Sequence, residues 1–377
     1  MSYYLRHYFD PHFNHLSLKP KVSADGRADR YNLGYVQNVI RGQILAEMIP
    51  SDQENEPELE FFRSEPELPA GFNTAVNPDY PQYLLADANG YAFYLDGKVT
   101  VKNVLNARGN VDFHTGNIFF VGNLAVHGDV KAGFEVQAND ILIKGLLEGG
   151  IARAQHDMVI QGGVRGHANG KCLVDAGKSL RISHVENAEV RSHGKLLIEK
   201  FCLHSRLYVT GNVMVQGRLY GGSCQANGTV YVSESLGNAS GTPTEILLGY
   251  DPFRIRQLER VETHLAELAQ RVMHYAAVAG HLPPDANELS RRLAAARYKQ
   301  KRLQGHRQEL WNGLSMDEGR AAACRVLVPG TVHPGVSIAI GRAVFTVSTP
   351  MHNVMFCLED NAVKVQPMPA PQPKKRS

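Results

Sequence analysis

The chain has 377 residues, 43% of them hydrophobic and 20% charged, with a formal net charge of +3. That length supports two or three domains around a substantial core, and the composition is that of an ordinary globular protein. So small a net charge excludes a global field for nucleic acid or membrane, and no run reaches the roughly 18 apolar residues of a membrane helix.

The opening MSYYLRHYFDPHF has a charge and a Pro where a secretory signal would need an apolar stretch, so cytoplasmic placement is the expectation. The five cysteines, Cys172, Cys202, Cys224, Cys324 and Cys357, never fall in C-x-x-C spacing and read as reduced thiols. Within residues 1–70, VSADGRADRYNLGYVQNVIRGQILAEMIP suggests a strand, a turn at Asp25-Gly26 and one amphipathic helix. The acidic run SDQENEPELEFFRSEPELPA then reads as a linker. A small N-terminal α/β domain with an acidic linker is therefore expected over 1–70.

From residue 71 the reading is a β-helix, extending to about 250. Seven apolar-x-apolar pairs recur: Leu124/Val126, Ile141/Ile143, Met158/Ile160, Leu180/Ile182, Leu196/Ile198, Val213/Val215 and Val230/Val232. Their first members are 17, 17, 22, 16, 17 and 17 residues apart, the long step absorbing a Gly-rich insertion at GGVRGHANGK. A second short strand precedes each pair, through Ala152, Val174, Val190, Leu207 and Cys224. No copy has enough apolar residues to bury itself, but stacked copies would form ladders around a continuous core. Sixteen or 17 residues leave no room for a crossover helix, so parallel strands must be joined by coiling alone. The expectation is a parallel β-helix, right-handed because parallel crossovers almost always are. Gly128, Gly145, Gly162 and Gly217 follow at a fixed offset and mark corners that need positive φ or close approach between coils.

After Thr244-Glu-Ile246-Leu-Leu248 the period changes. Leu258, Val261, Leu265, Leu268, Val272 and Tyr275 are spaced 3, 4, 3, 4, 3, and Leu289, Leu293, Ala296, Gln300, Leu303, Arg307 and Leu310 continue at 4, 3, 4, 3, 4, 3. Gly280-His-Leu-Pro283-Pro284-Asp285 separates the two seams. The pattern predicts an inserted antiparallel coiled-coil hairpin over 251–316. Strand alternation resumes in 317–365, at Cys324–Val328, Val336–Ile340, Phe345/Val347 and Val354/Phe356/Leu358, as coils that rejoin the β-helix. The Pro-rich, basic tail over 366–377 reads as disordered.

The chemistry is sparse. Asp140 and Asp157 would stack one strand spacing apart, but their column continues Ser179, Lys195, Asn212 and Thr229, which are turn formers. Capping is the better reading than a cation site, and no metal or cofactor is expected. The histidines form no H-x-x-x-H pair, and no catalytic set declares itself, so the chain reads as a non-enzyme. The second helix carries Arg291, Arg292, Arg297, Lys299, Lys301, Arg302 and Arg307 with no acid between the first and last. Such a run is commonly a solvated face. As a binding surface it points to an acidic protein partner more than to nucleic acid, since Tyr298 alone is interleaved for base stacking. Self-association stays open. Two other readings are kept: a polysaccharide-binding or polysaccharide-cleaving β-helix protein, and a nucleic-acid binder acting through the basic hairpin.

With these elements in order, the chain resembles the FapA (flagellar assembly protein A) family. The motifs that carry the likeness are NPDYPQYLLADANGYAF (77–93), VDFHTGNIFFVGNLAVHGDVKAGFEVQANDILIKG (111–145) and FCLHSRLYVTGNVMVQG (201–217). GTPTEILLG (241–249) and VLVPGTVHPGVSIAIG (326–341) belong to it as well. The resemblance runs from about 71 to 365. It implies a cytoplasmic, non-enzymatic scaffold or assembly factor, associated in some members with flagellar assembly through protein–protein contacts.

Overall fold

The computed structural model describes residues 2–22, 28–51, 61–167, 171–279, 287–314 and 318–368. It divides into two compact units, Met1–Ser205 and Arg206–Ser377.

The first unit begins with a β head. Its five-stranded antiparallel sheet has the order Phe62–Arg63, Ser2–His7, Ile44–Ser51, Tyr83–Ala86, Thr74–Val76. A three-stranded sheet of Lys98–Lys102, Gly90–Leu95 and Asn38–Val39 shares its core, where Leu5, Leu45, Met48, Phe61, Leu84, Val99 and Val101 are buried together. The head's sheets thus draw on both sides of position 70. Among the described residues up to 102 there is no α-helix, which corrects the expected α/β domain. The apolar run Ile44–Ile49 fits either period, and tertiary pairing decides it. It becomes the central strand, paired to Ser2–His7 on one edge and Tyr83–Ala86 on the other. The turn at Asp25-Gly26, residues 52–60 of the expected acidic linker and most of the tail lie outside the described residues. Residues 61–70 are no linker but part of the head: Phe61 and Leu68 are buried in its core, and Phe62–Arg63 is its edge strand.

From Val104 onward the unit is a parallel β-solenoid. Leu105, Leu124, Ile141, Met158, Leu180 and Leu196 pair in one column, and Val126, Ile143, Ile160, Ile182 and Ile198 in the next inward column. The register is the one the 17-residue spacing requires, including the 22-residue step from Met158 to Leu180. A second wall stacks Val136, Ala152, Val174 and Val190. A third wall, through Leu147, Val164, Val185 and Cys202, was not read from sequence. Its strands in the middle coils are two residues long, too short to show alternation.

The glycine column serves close approach. A Cβ on Gly162 would lie 2.3 Å from the Gly145 carbonyl, and one on Gly145 2.4 Å from that of Gly128. The Asp column also has a defined job. The Asp157 N–H donates to Asp140 Oδ1 at 3.1 Å, and the Ser179 N–H to Asp157 Oδ1 at 2.9 Å. Each carboxylate therefore caps the equivalent residue of the following coil.

The second unit contains further coils. Val213, Val230 and Val326 stack in parallel, as do Cys224, Ile246 and Ile338. Between Leu248 and Arg325 the chain leaves the solenoid and forms α1 (Pro252–Ala279), α2 (Asn287–Asn312) and the short α3 (Glu318–Ala323). It returns directly onto the coil that it left, so the helices are an excursion. The last strands differ from expectation. Ala343–Thr346 and Met351–Glu359 run antiparallel to the strands they cover, and Ala362–Pro367 folds back on Met351–Glu359. Asp360 and Asn361 make that reversal, both at positive φ (50° and 59°), the conformation of a two-residue hairpin turn.

A cationic helix face as candidate docking surface

Asp251 starts α1: its Oδ1 accepts the Phe253 N–H at 2.9 Å, and Pro252 occupies the first helical position, where no N–H is needed. Leu258, Val261, Leu265 and Leu268 are buried, while Val272 and Tyr275 toward the far end of α1 are half-buried. On α2, Leu289, Leu293, Ala296, Gln300, Leu303 and Leu310 are half-buried, and Arg307, placed in the seam by spacing, is exposed. The two helices pack against each other.

The root of α1 is tied to the solenoid by a contact that sequence reading missed. Glu259 accepts the Tyr208 hydroxyl at Oε2 (2.8 Å) and the Gln225 amide at Oε1 (2.6 Å). Arg256 lies 5.8 Å from the centre of the Tyr208 ring. Tyr208 points outward from its strand by alternation yet is only 1% exposed. No local signal could have found this, because the partners are 51 and 34 residues apart.

All seven cations of α2 are exposed. At about 100° per residue, Arg291, Lys301 and Arg302 fall opposite the seam, Arg297 and Lys299 on its flanks, and Arg292 and Arg307 nearer to it. Only Arg292 has a carboxylate partner among the described residues, Glu288 at 2.5 Å. Tyr298 stands among the outward cations, 70% exposed. The two helices hold eleven Lys and Arg against five Asp and Glu, a net +6, so the remaining residues carry −3. The arm is the chain's concentration of positive charge.

Elsewhere, polar groups serve the ladder. The Leu146 N–H and then Lys131, at 2.9 Å, hold the Asp129 carboxyl below its ordinary range. Glu135–Arg153 and Asp175–Arg191 pair across neighbouring coils, and Arg191 also pairs with Glu189 on its own strand. Burial pushes the Cys172 thiol up to about 11 and Cys224 up to about 12, the opposite of an activated nucleophile. Among the described residues, no three His, Cys, Asp or Glu side chains are grouped to hold a metal, and no helix is long and apolar enough to cross a membrane.

Residues 103–363 match the model of the Flagellar Assembly Protein A beta solenoid domain. No curated protein and no solved structure matches the chain.

Proposed function

Given that the chain belongs to the FapA (flagellar assembly protein A) family, we propose that it is a non-enzymatic cytoplasmic assembly factor that docks an acidic protein partner on the cationic face of α2. One observation carries the reading: six exposed cations, Arg291, Arg297, Lys299, Lys301, Arg302 and Arg307, lack a carboxylate partner among the described residues. A solvated face gains nothing from such a pattern. Like charges four apart, as Arg297 and Lys301 are, destabilise an isolated helix by about 0.2–0.5 kcal/mol. Carboxylates from a partner would reverse that sign. A nucleic-acid backbone would also do so, but Tyr298 is the single aromatic among these cations, which favours a protein.

The test reverses Arg297, Lys299, Lys301 and Arg302 to Glu, leaving Leu293, Leu303 and Leu310 in the seam. Capture from native lysate by the parent should weaken as salt rises through the physiological range, and the reversed form should capture nothing. Equal capture by both forms at low and high salt would remove α2 from the function. Polysaccharide turnover by either form would favour an enzyme.

A further inference from the structure

Where the head meets the first coils, Arg41, Asp87 and Asn89 face Asn103, Asn123 and Asn139 across an open cleft of ≈ 400 Å³, with Ala88 and Gly122 also in its wall. Three of its amides are each held at one end. Asn89 Oδ1 accepts the Arg41 N–H at 2.9 Å, and Asn123 Oδ1 accepts the Asp140 N–H at 3.3 Å. Asn139 Nδ2 donates to the Val121 carbonyl at 3.0 Å. The other ends, two NH2 groups and one carbonyl oxygen, are therefore oriented before any ligand arrives. The backbone beneath them is fixed too, with Asn123 N–H on the Asn103 carbonyl at 2.9 Å and Asn139 N–H on the Gly122 carbonyl at 2.8 Å.

The lining defines the ligand class. Its one cation, Arg41, is paired with Asp87 at 3.2 Å, so the cleft is neutral and offers no excess charge to an anion. No aromatic ring lines it, which disfavours a flat apolar ligand. What remains is a fixed mixture of amide donors and acceptors, which suits vicinal hydroxyls because each hydroxyl both donates and accepts. The volume lies at the small-ligand end of the usual range. We propose that this cleft binds a short neutral saccharide of about one or two rings. The inference is independent of the docking reading, because none of these residues belongs to the helical arm.

Cellobiose, maltose and N,N′-diacetylchitobiose, titrated calorimetrically into the full chain, provide the test. Asn89→Asp and Asn123→Asp keep the anchoring Oδ1 and exchange the presented NH2 donor for a charged carboxylate oxygen that can only accept. Aspartate is tolerated in the Asn123 column, since Asp140 and Asp157 make the same cap there. At least one disaccharide should bind in the millimolar range, each substitution should weaken it about tenfold, and both together about a hundredfold. Asn103→Ala, which removes no ladder contact, should also weaken it and guards against misfolding of the Asp forms. The proposal fails if none of the three sugars binds at about 20 mM. It fails equally if inorganic phosphate binds in their place, or if the variants bind as the parent does.

Discussion

Glu259→Ala should loosen the arm at its root. The substitution removes an ionised acceptor from two hydrogen bonds, 2.8 Å from the Tyr208 hydroxyl and 2.6 Å from the Gln225 amide. Bonds to charged groups contribute about 1.5–3 kcal/mol each, and Glu259 is half-buried, so the lower end applies and the loss is about 3 kcal/mol. Detachment of α1 would uncover Tyr208 and Gln225, now 1% and 4% exposed. Amide hydrogen exchange is the suitable assay because it reads opening segment by segment. Protection in the first three turns of α1, and in Phe201–Val209 and Arg218–Ala226, should fall about a hundredfold. Glu262→Ala, an exposed site one turn along the same helix, should change protection by less than about threefold. Equal effects at 259 and 262, or a loss below about 1 kcal/mol at 259, would refute the anchoring argument.

Ile143→Asp should prevent soluble folding by placing a charge in a closed ladder, whereas Lys144→Glu, one position along and exposed, should be tolerated; soluble yield and thermal melts separate them. Asp157→Ala should cost about 1 kcal/mol in urea unfolding through loss of the cap on Ser179, while Asp157→Asn, which keeps Oδ1, should cost little. Asp129 has its folded pKa lowered, so its stabilisation is present above the unfolded value near 3.9 and is lost as pH falls through the folded value. Between pH 5 and pH 2 the melting temperature of the parent should therefore fall more than that of Asp129→Asn.

What could be read from sequence depended on whether the signal was periodic. Leu124, Ile141, Met158, Leu180 and Leu196 announce themselves because a stacked coil repeats the same inward position, and an insertion such as that before Leu180 leaves the column intact. The two helices are legible for the same reason, their apolar residues recurring at 3 and 4. The head is legible only in part: Asp96-Gly97 marks the hairpin of Gly90–Leu95 with Lys98–Lys102, but other strands pair over long separations, as Ser2 does with Ser51, where nothing local marks the partners. Met351–Glu359 misled differently: its alternation is real, yet alternation carries no direction, and the antiparallel return follows from tight turns instead. The cations of α2 were visible as residues, and the structure adds that six lack a carboxylate partner among the described residues. The amide cleft was invisible, since it joins Arg41 and Asn89 to Asn139 only through the fold.

The two candidate surfaces differ in what holds them, and that difference bears on how each would work. Of the cleft amides, Asn123 and Asn139 stand on ladder backbone that coil-to-coil hydrogen bonds fix in place, and Asn89 is held in the head by the Arg41 N–H. A ligand there meets a preformed site and loses little on ordering it. The cations of α2 stand on a helix that packs on α1, and α1 in turn meets the solenoid at Glu259. On the docking reading proposed above, carboxylates that grip α2 would pull on the arm through its root, so a docked partner would act on Tyr208 and Gln225 without touching either. The buried seam residues of α1, from Leu258 to Leu268, lie on the root side, while Val272 and Tyr275 beyond them are only half-buried. Burial therefore declines along the arm away from Glu259. A partner holding Arg302 and Arg307, close to the root, would be positioned by the solenoid. One holding Arg291 and Arg292 would be tethered more loosely.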